Sequence, residues 1–241
     1  MHLKAGDPKP VISPIHFTLF GNRFCPYVER VRFVLSYHHI EYDYILIDLH
    51  SKPPWYLELY SAGKVPLLLT DKGEKIVESD VIMRHVDRLH GDKHSLLKKC
   101  SESDFEKACS LSSRIMMHIY PLLYRDSNVQ SEAKGFYAAC REINEAIKGP
   151  YFAGPELSLA DLAILPFLNR LEPALDLLTG GELTAVEDLK PDDQFAKDYP
   201  KLATFLFTLR AESCVAAVRE PARLHGLYAA TARAGQPQPD M

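Results

Sequence analysis

The stretch FTLFGNRFCPYVERVRFVLSYHHIEYDYILIDL, residues 17–49, decides the fold. A short apolar and β-branched run, His16–Phe20, predicts a strand, and Gly21 breaks it. Apolar residues at helical spacing then predict a helix over Pro26–Tyr37, with the charged side chains on its other face. A second strand follows in EYDYILIDL. The stretch therefore predicts a strand–helix–strand unit with Cys25 directly before its helix.

The rest of the first half continues to alternate, and the second half does not. PPWYLELYS predicts a short helix, VPLLL and KIVE predict a hairpin, and SDVIMRHVDRLHG predicts a helix capped by Ser79 and ended by Gly91. From Ser103 onward nearly every segment has helical periodicity. The predicted fold class is α/β plus all-α: a thioredoxin-like domain of order βαβαββα, followed by an all-helical domain. The predicted parts are an irregular arm (1–15), the thioredoxin-like domain (16–92), a linker (93–103), the helical domain (104–228) and a flexible tail (229–241).

Composition excludes several classes of function. The chain has 241 residues, 46% of them hydrophobic, and a formal net charge of -4, which gives no basic surface for nucleic acid. No apolar run approaches the roughly 18 residues of a membrane span. Prolines interrupt the N-terminal stretch where a signal peptide needs apolar residues, so we expect a cytoplasmic protein. Five widely spaced cysteines form neither a C-x-x-C pair nor a metal-ligand set.

Cys25 has two interpretations. Many free cysteines are small buried fillers. A thiol at a helix N-terminus instead faces unpaired backbone N–H groups and the positive end of the helix dipole, which favour its thiolate. The strand-to-helix junction favours the second interpretation, and Arg23 lies near enough in sequence to add to the effect. Since Val28 stands where a C-x-x-C partner would be, the thiol needs an external thiol, for which glutathione is the natural candidate.

Three further features suit glutathione, although each alone is ordinary. Val65-Pro66 precedes a strand and offers a short backbone edge for an extended peptide. Glu78-Ser79 stands at a helix start, where N–H groups bind a carboxylate and an acid binds an ammonium group. Lys52 supplies a cation. A tripeptide with two carboxylates and one ammonium group needs this combination around a thiol.

The chain resembles cytosolic glutathione transferases in the order and spacing of four motifs, FCPY, KPPW, GKVP and ES. The cysteine in the first motif makes the omega class the most similar. The resemblance covers residues 17–228. It implies that Cys25 forms a mixed disulfide with glutathione, that Lys52 contacts the glycine carboxylate, and that the Val65 backbone pairs with the cysteinyl part. It also implies a cis-proline and a pair that holds the γ-glutamyl end. The implied glutathione-binding residues are Phe24, Pro26, Lys52, Val65, Pro66, Glu78 and Ser79.

The resemblance also extends to the helical half. Ser158 and Asp161 match a buried N-capping motif, which is structural rather than catalytic. Tyr27, Arg170 and Leu224 are the implied residues of the second-substrate pocket. The aromatic residue that the family has near the C-terminus is not clearly matched, and Leu224 or His225 stands at about that position.

The implied function is glutathione-dependent thiol transfer and reduction of disulfides, glutathionylated thiols or dehydroascorbate, with weak conjugating activity. Glutathione would be a co-substrate, with no permanent cofactor and no metal, and the protein would be a homodimer. The alternatives are a non-enzymatic ligand carrier and a chloride-intracellular-channel-like protein on the same fold. The charged residues of the first helix argue against membrane insertion. The maleylacetoacetate-isomerase class normally has serine near this position.

Overall fold

A computed structural model describes residues 1–89, 91–125 and 128–241. The first half contains a four-stranded sheet of strand order β2-β1-β3-β4. β1 runs parallel to β2, whereas β1–β3 and β3–β4 are antiparallel. The strands are β1 (Phe17–Gly21), β2 (Tyr42–Leu46), β3 (Leu67–Leu69) and β4 (Lys75–Val77).

Three helices complete this half in the predicted order βαβαββα: α1 (Pro26–Tyr37), α2 (Pro54–Leu59) and α3 (Ser79–Arg88). The predicted bounds of α1 are confirmed, because proline at its first position and the apolar spacing after it are local signals. The predicted cap of α3 was wrong by one residue. Glu78 is the N-cap, and Ser79 is the first helical residue. The stretch predicted to end this helix includes His90, which lies outside the described residues.

The second half is helical, as predicted, and no strand occurs in its described residues, 93–125 and 128–241. A single 3₁₀ turn precedes its first long helix. The helices are α4 (Glu102–Tyr124), α5 (Val129–Ala146), α6 (Leu159–Leu168), α7 (Leu171–Leu178), α8 (Gln194–Asp198), α9 (Pro200–Ala211), α10 (Ser213–Ala216) and α11 (Ala222–Arg233).

The two halves share one hydrophobic core. Every residue of α6 is buried, and this helix packs against both α1 and α4. A reciprocal capping box starts it, with Ser158 at the N-cap and Asp161 three residues later, both fully buried. Because α1 follows Cys25 directly, the buried α6 fixes the segment that carries Cys25 against the helical half.

The charged face predicted for α1 does not point to solvent. Glu29 and Arg30 are each only 4% exposed, because that face packs on the helical half. Arg30 donates to the Ala163 carbonyl (2.7 Å), to Ser79 Oγ (3.2 Å) and to Ser112 Oγ (2.6 Å). These contacts give the buried guanidinium hydrogen-bond partners. None of the described helices is both long and apolar enough to cross a bilayer.

The two ends of the chain meet beside the segment that carries Cys25. Asp240 accepts hydrogen bonds from the His2 backbone N–H (2.8 Å) and lies 2.7 Å from His2 Nδ1. His2 Nε2 in turn accepts from the Arg23 N–H (3.2 Å), and the Arg23 side chain pairs with Glu220 at 2.7 Å. α11 also continues to Arg233, inside the segment expected to be flexible from residue 229.

Candidate active site

Cys25 is the N-cap residue of α1, with an extended backbone (φ −82°, ψ 119°). The chain reaches it through a tight turn in which the Phe24 N–H donates to Asn22 Oδ1 (3.1 Å). The turn begins at Gly21, where a Cβ atom would lie only 2.6 Å from Val28 Cγ1. Only glycine therefore lets α1 pack this closely on the end of β1, which brings the thiol to the helix N-terminus.

Arg170 lies behind this turn and not in a pocket. It is fully buried, and its Nη2 donates to the Phe24 carbonyl (2.7 Å). Its Nη1 donates to Glu29 Oε2 (3.0 Å), and Asn169 Nδ2 donates to the other oxygen of that carboxylate (2.7 Å). The structure does not place Arg170 in the lining of either cavity described below, because a buried carboxylate and a buried carbonyl hold its guanidinium.

The environment of Cys25 both opposes and favours its thiolate. Desolvation in the cleft is the largest effect and raises the pKa of the thiol above its ordinary value. The N–H groups of Val28 and Tyr27 and the charge of Arg170 act in the opposite direction and lower this pKa. The net direction is upward, so the helix N-terminus does not overcome desolvation. Arg23 is occupied by Glu220, and it is Arg170 that supplies the positive charge near the thiol.

The raised pKa of Cys25 predicts how its alkylation depends on pH. Only the thiolate reacts, and a raised pKa means that its fraction keeps increasing through about pH 9. We therefore expect the rate at which iodoacetamide labels the Cys25 peptide, measured by mass spectrometry, to rise with pH up to about pH 9 without a plateau. The Cys100 peptide in the same digest controls for reagent chemistry. A plateau below about pH 7 would show a stabilised thiolate instead.

A polar cavity of about 540 Å³ opens on one side of Cys25. Five residues predicted to bind glutathione line it together: Lys52, Val65, Pro66, Glu78 and Ser79. The Val65–Pro66 peptide bond is cis. Glu78 has a positive φ of 65°, which non-glycine residues rarely adopt and which turns the chain sharply into α3. The cavity thus combines a cation, a carboxylate, a backbone edge and a helix N-terminus around one thiol.

Phe24 and Pro26, the other two predicted glutathione-binding residues, line a different cavity. This second cavity has a volume of about 680 Å³ and is mostly apolar and aromatic. Phe24 stacks on Tyr228, with ring centroids 4.3 Å apart and planes 9° from parallel. The second cavity is lined by Asn22, Phe24, Cys25, Pro26, Tyr27, Leu49, His50, Ser113, Met116, Met117, Tyr120, Tyr124, Tyr228 and Ala232.

Of the three residues predicted for the second-substrate pocket, the structure brings only Tyr27 to this aromatic cavity. Leu224 lies on α11 one helical turn before Tyr228, and it is Tyr228 whose ring enters the cavity. One face of α4, which carries Met116, Tyr120 and Tyr124, also lines this cavity and was not predicted to do so. Their spacing of four residues was the available signal, since residues four apart lie on one helix face.

Among the residues that the structure describes, only three line both cavities: Cys25, Tyr27 and Leu49. A thiol compound in the polar cavity and a second molecule in the aromatic cavity would therefore meet at the sulfur of Cys25. Within the described ranges, no group of three or more histidine, cysteine, aspartate or glutamate side chains could hold a metal ion. The Cys25 thiol thus lies between a polar cavity and an aromatic cavity.

Comparisons with known proteins match both halves of the chain. The family model described as "Glutathione S-transferase, N-terminal domain" matches residues 19–94, and that described as "Glutathione S-transferase, C-terminal domain" matches residues 127–206. "Glutathione S-transferase omega-1" of Sus scrofa is 30% identical over 183 residues, which are 72% of this chain and 73% of that protein. "Probable glutathione S-transferase DHAR1, cytosolic" of Oryza sativa is 30% identical over 168 residues, with shares of 68% and 74%.

Solved structures of low sequence identity share the fold. Glutathione transferase Omega 3C from Trametes versicolor superimposes with a TM-score of 0.67 at 19% identity, covering 86% of this chain and 90% of that one. Dehydroascorbate reductase from Chlamydomonas reinhardtii superimposes with a TM-score of 0.67 at 21% identity, covering 88% and 96%. The thioredoxin-like domain followed by a helical domain is therefore an architecture found in solved structures.

Proposed function

Because the chain belongs to the glutathione S-transferase family, we propose that it catalyses glutathione-dependent thiol transfer and reduction through a Cys25–glutathione mixed disulfide. The observation that carries the proposal is the position of Cys25 at the wall shared by the polar and the aromatic cavity. A cysteine there traps bound glutathione as a disulfide, whereas a tyrosine or serine hydroxyl would leave the glutathione thiol free to attack an electrophile.

Glutathione occupies the polar cavity in this proposal. Lys52 binds the glycine carboxylate, the backbone of Val65 pairs with the cysteinyl residue, and Glu78 binds the γ-glutamyl ammonium group. The Ser79 hydroxyl accepts from Arg30 at 3.2 Å, which leaves its own proton to be donated to the γ-glutamyl carboxylate. Glutathione is a co-substrate that turns over with the acceptor, and no permanently bound cofactor is part of the proposal.

The reaction has two displacement steps. The Cys25 thiolate attacks the glutathionyl sulfur of a mixed disulfide, the S–S bond breaks, and the acceptor leaves as a thiolate that takes a proton. A second glutathione thiolate then attacks Cys25–S–S–glutathione, releases glutathione disulfide and regenerates Cys25. A small thiolate fraction is sufficient for this chemistry because cysteine is intrinsically very nucleophilic.

The acceptors in this proposal are small disulfides, glutathionylated thiols and dehydroascorbate. The similarity of the fold to that of the Chlamydomonas dehydroascorbate reductase supports the last of these. Conjugation to electrophiles is expected to be weak. A non-enzymatic ligand carrier remains the competing function, and the aromatic cavity of about 680 Å³ is the observation that favours it. Tight binding of an apolar ligand without turnover would support the carrier.

The proposal also covers assembly and location. We expect a homodimer that works in the cytoplasm. The similarity to a probable cytosolic glutathione S-transferase of Oryza sativa supports the location.

The test is a measurement of the intact mass after the protein has been exposed to glutathione disulfide. We expect the mass of one added glutathionyl group, and peptide mapping should assign it to Cys25 and not to Cys100, Cys109, Cys140 or Cys214. Added glutathione should remove the adduct while a small disulfide is reduced. Failure to form the adduct, or an adduct on another cysteine, would contradict the proposal and favour the carrier.

A further inference from the structure

Tyr124 lies near the end of α4 and lines the aromatic cavity together with Cys25. Its ring sits between those of Tyr120 and Tyr228, with centroid distances of 5.3 Å and 6.0 Å. The hydroxyl oxygen is buried and makes no hydrogen bond of normal geometry in the part of the chain that the structure describes. Native proteins rarely leave a buried hydroxyl in this state unless a ligand or water completes it.

The neighbour of this hydroxyl is the guanidinium of Arg170. Arg170 Nε is likewise buried without a hydrogen-bond partner among the described residues, and the charge of Arg170 lowers the pKa of Tyr124. Arginine can only donate hydrogen bonds. Any contact between them therefore uses the Tyr124 oxygen as an acceptor and leaves the tyrosine proton free. Burial raises the pKa of Tyr124 overall, which keeps that proton in place at neutral pH.

The lining of the aromatic cavity explains why such a proton donor matters. No lysine or arginine is among the described residues that line it. When a disulfide breaks there, the departing sulfur carries a full negative charge in a mostly apolar environment. A charge in such an environment is costly unless hydrogen-bond donors meet it.

We propose that Tyr124 is a catalytic residue that donates a hydrogen bond to the leaving sulfur when Cys25 attacks a glutathione mixed disulfide whose other arm lies in the aromatic cavity. The inference rests on the proposed function. The Cys25–glutathione S–S bond forms, the original S–S bond breaks, and its electron pair moves to the acceptor sulfur. The O–H of Tyr124 stabilises that thiolate by a hydrogen bond until the thiolate takes a proton from water, and Tyr124 retains its own proton. The acceptors that need this help most are disulfides with alkyl arms, whose thiols are weak acids.

The experiment compares wild type and Tyr124→Phe on a series of glutathione mixed disulfides. The leaving thiols range from aryl thiols, which are strong acids, to alkyl thiols, which are weak acids. We expect Tyr124→Phe to lose about tenfold in kcat/KM with alkyl leaving groups and less than about twofold with aryl leaving groups, because a good leaving group needs little stabilisation. The slope of log kcat/KM against the pKa of the leaving thiol should therefore become steeper.

Two variants serve as comparisons. Tyr137→Phe makes the same chemical change on α5, outside both cavities, and should keep the wild-type slope. Tyr124→His keeps a ring with an N–H donor and should restore part of the rate with alkyl leaving groups, which also covers the case in which the phenylalanine variant fails to fold. A uniform loss across the whole series, or no loss, would overturn the role of Tyr124. Failure of the proposed function itself is distinguishable, because the wild type would then form no Cys25 adduct.

Discussion

Cys25→Ser is expected to lower the glutathione-dependent reduction of a small disulfide by at least about a thousandfold, because the serine hydroxyl cannot form the mixed disulfide that links the two steps. The measurement is kcat/KM with hydroxyethyl disulfide and glutathione, coupled to the reduction of glutathione disulfide. The variant should also take up no glutathionyl group when its intact mass is recorded after exposure to glutathione disulfide.

Cys100→Ser provides the control for this substitution. Cys100 is half-buried at the end of the 3₁₀ turn before α4 and lines neither of the two cavities. We expect this variant to keep wild-type reduction and the adduct. Cys25→Ser should in addition reveal some conjugating activity towards an aryl halide, since the glutathione thiol is no longer trapped. Disulfide reduction retained by Cys25→Ser would rule out the mixed-disulfide mechanism.

Asp161→Ala is expected to lower the free energy of unfolding by about 3–5 kcal/mol, because it removes the acceptor of three buried hydrogen bonds. Asp161 Oδ1 accepts from the Phe152 N–H (2.6 Å), and Oδ2 accepts from the Ser158 N–H (2.7 Å) and hydroxyl (2.6 Å). For a chain of this size such a loss lowers Tm by roughly 10 °C. Denaturant unfolding followed by circular dichroism measures it. Burial raises the pKa of Asp161 to about 6, so the measurement should be made at about pH 7.5, where the carboxylate is ionised.

The chain offers a matched control at the start of α4. Ser101 and Asp104 repeat the Ser-x-x-Asp spacing, with the Asp104 N–H donating to Ser101 Oγ at 3.1 Å. Here the carboxylate also pairs at 2.5 Å with Lys148, whose side chain is 54% exposed. Asp104 itself is only 8% exposed, but its partners Ser101 and Lys148 are exposed. Because water can replace the contacts that these partners lose, Asp104→Ala should cost only about 1 kcal/mol. Equal losses in the free energy of unfolding for the two variants would show that the buried capping box stabilises the fold no more than the one at the start of α4.

The sequence predicted the features that depend on neighbouring residues. The start of α1, the placement of Cys25 in front of it and the alternation of strands and helices all follow from local signals, which are proline, apolar period and turn residues. The structure brings Lys52, Val65 and Glu78 into one cavity because β3 and α3 begin beside the N-terminus of α1. Their grouping was expected from a family resemblance and not from their individual patterns.

The features that depend on packing between the halves were not predicted from sequence. Periodicity shows that α4 has a face with Met116 and Tyr124, but not that this face lines a cavity. Arg170 was expected in a pocket, although nothing local reveals that a buried carboxylate and carbonyl lie opposite it. The direction of the Cys25 pKa was likewise decided by desolvation, which only the assembled cleft determines.

The buried contact of Glu29 with Arg170 and Asn169 has a consequence for recombination between related genes. A crossover between α3 and α4 exchanges the thioredoxin-like domain and the helical domain as two modules. It would separate the Glu29 carboxylate from the Arg170 guanidinium, which neutralises its charge, and from the Asn169 amide, which donates a hydrogen bond to it. An unpaired buried charge is strongly destabilising. The segment from the turn before α1 to the start of α7 should therefore be kept together when hybrid proteins are made. A working hybrid must take the carboxylate and its two partners from the same parent.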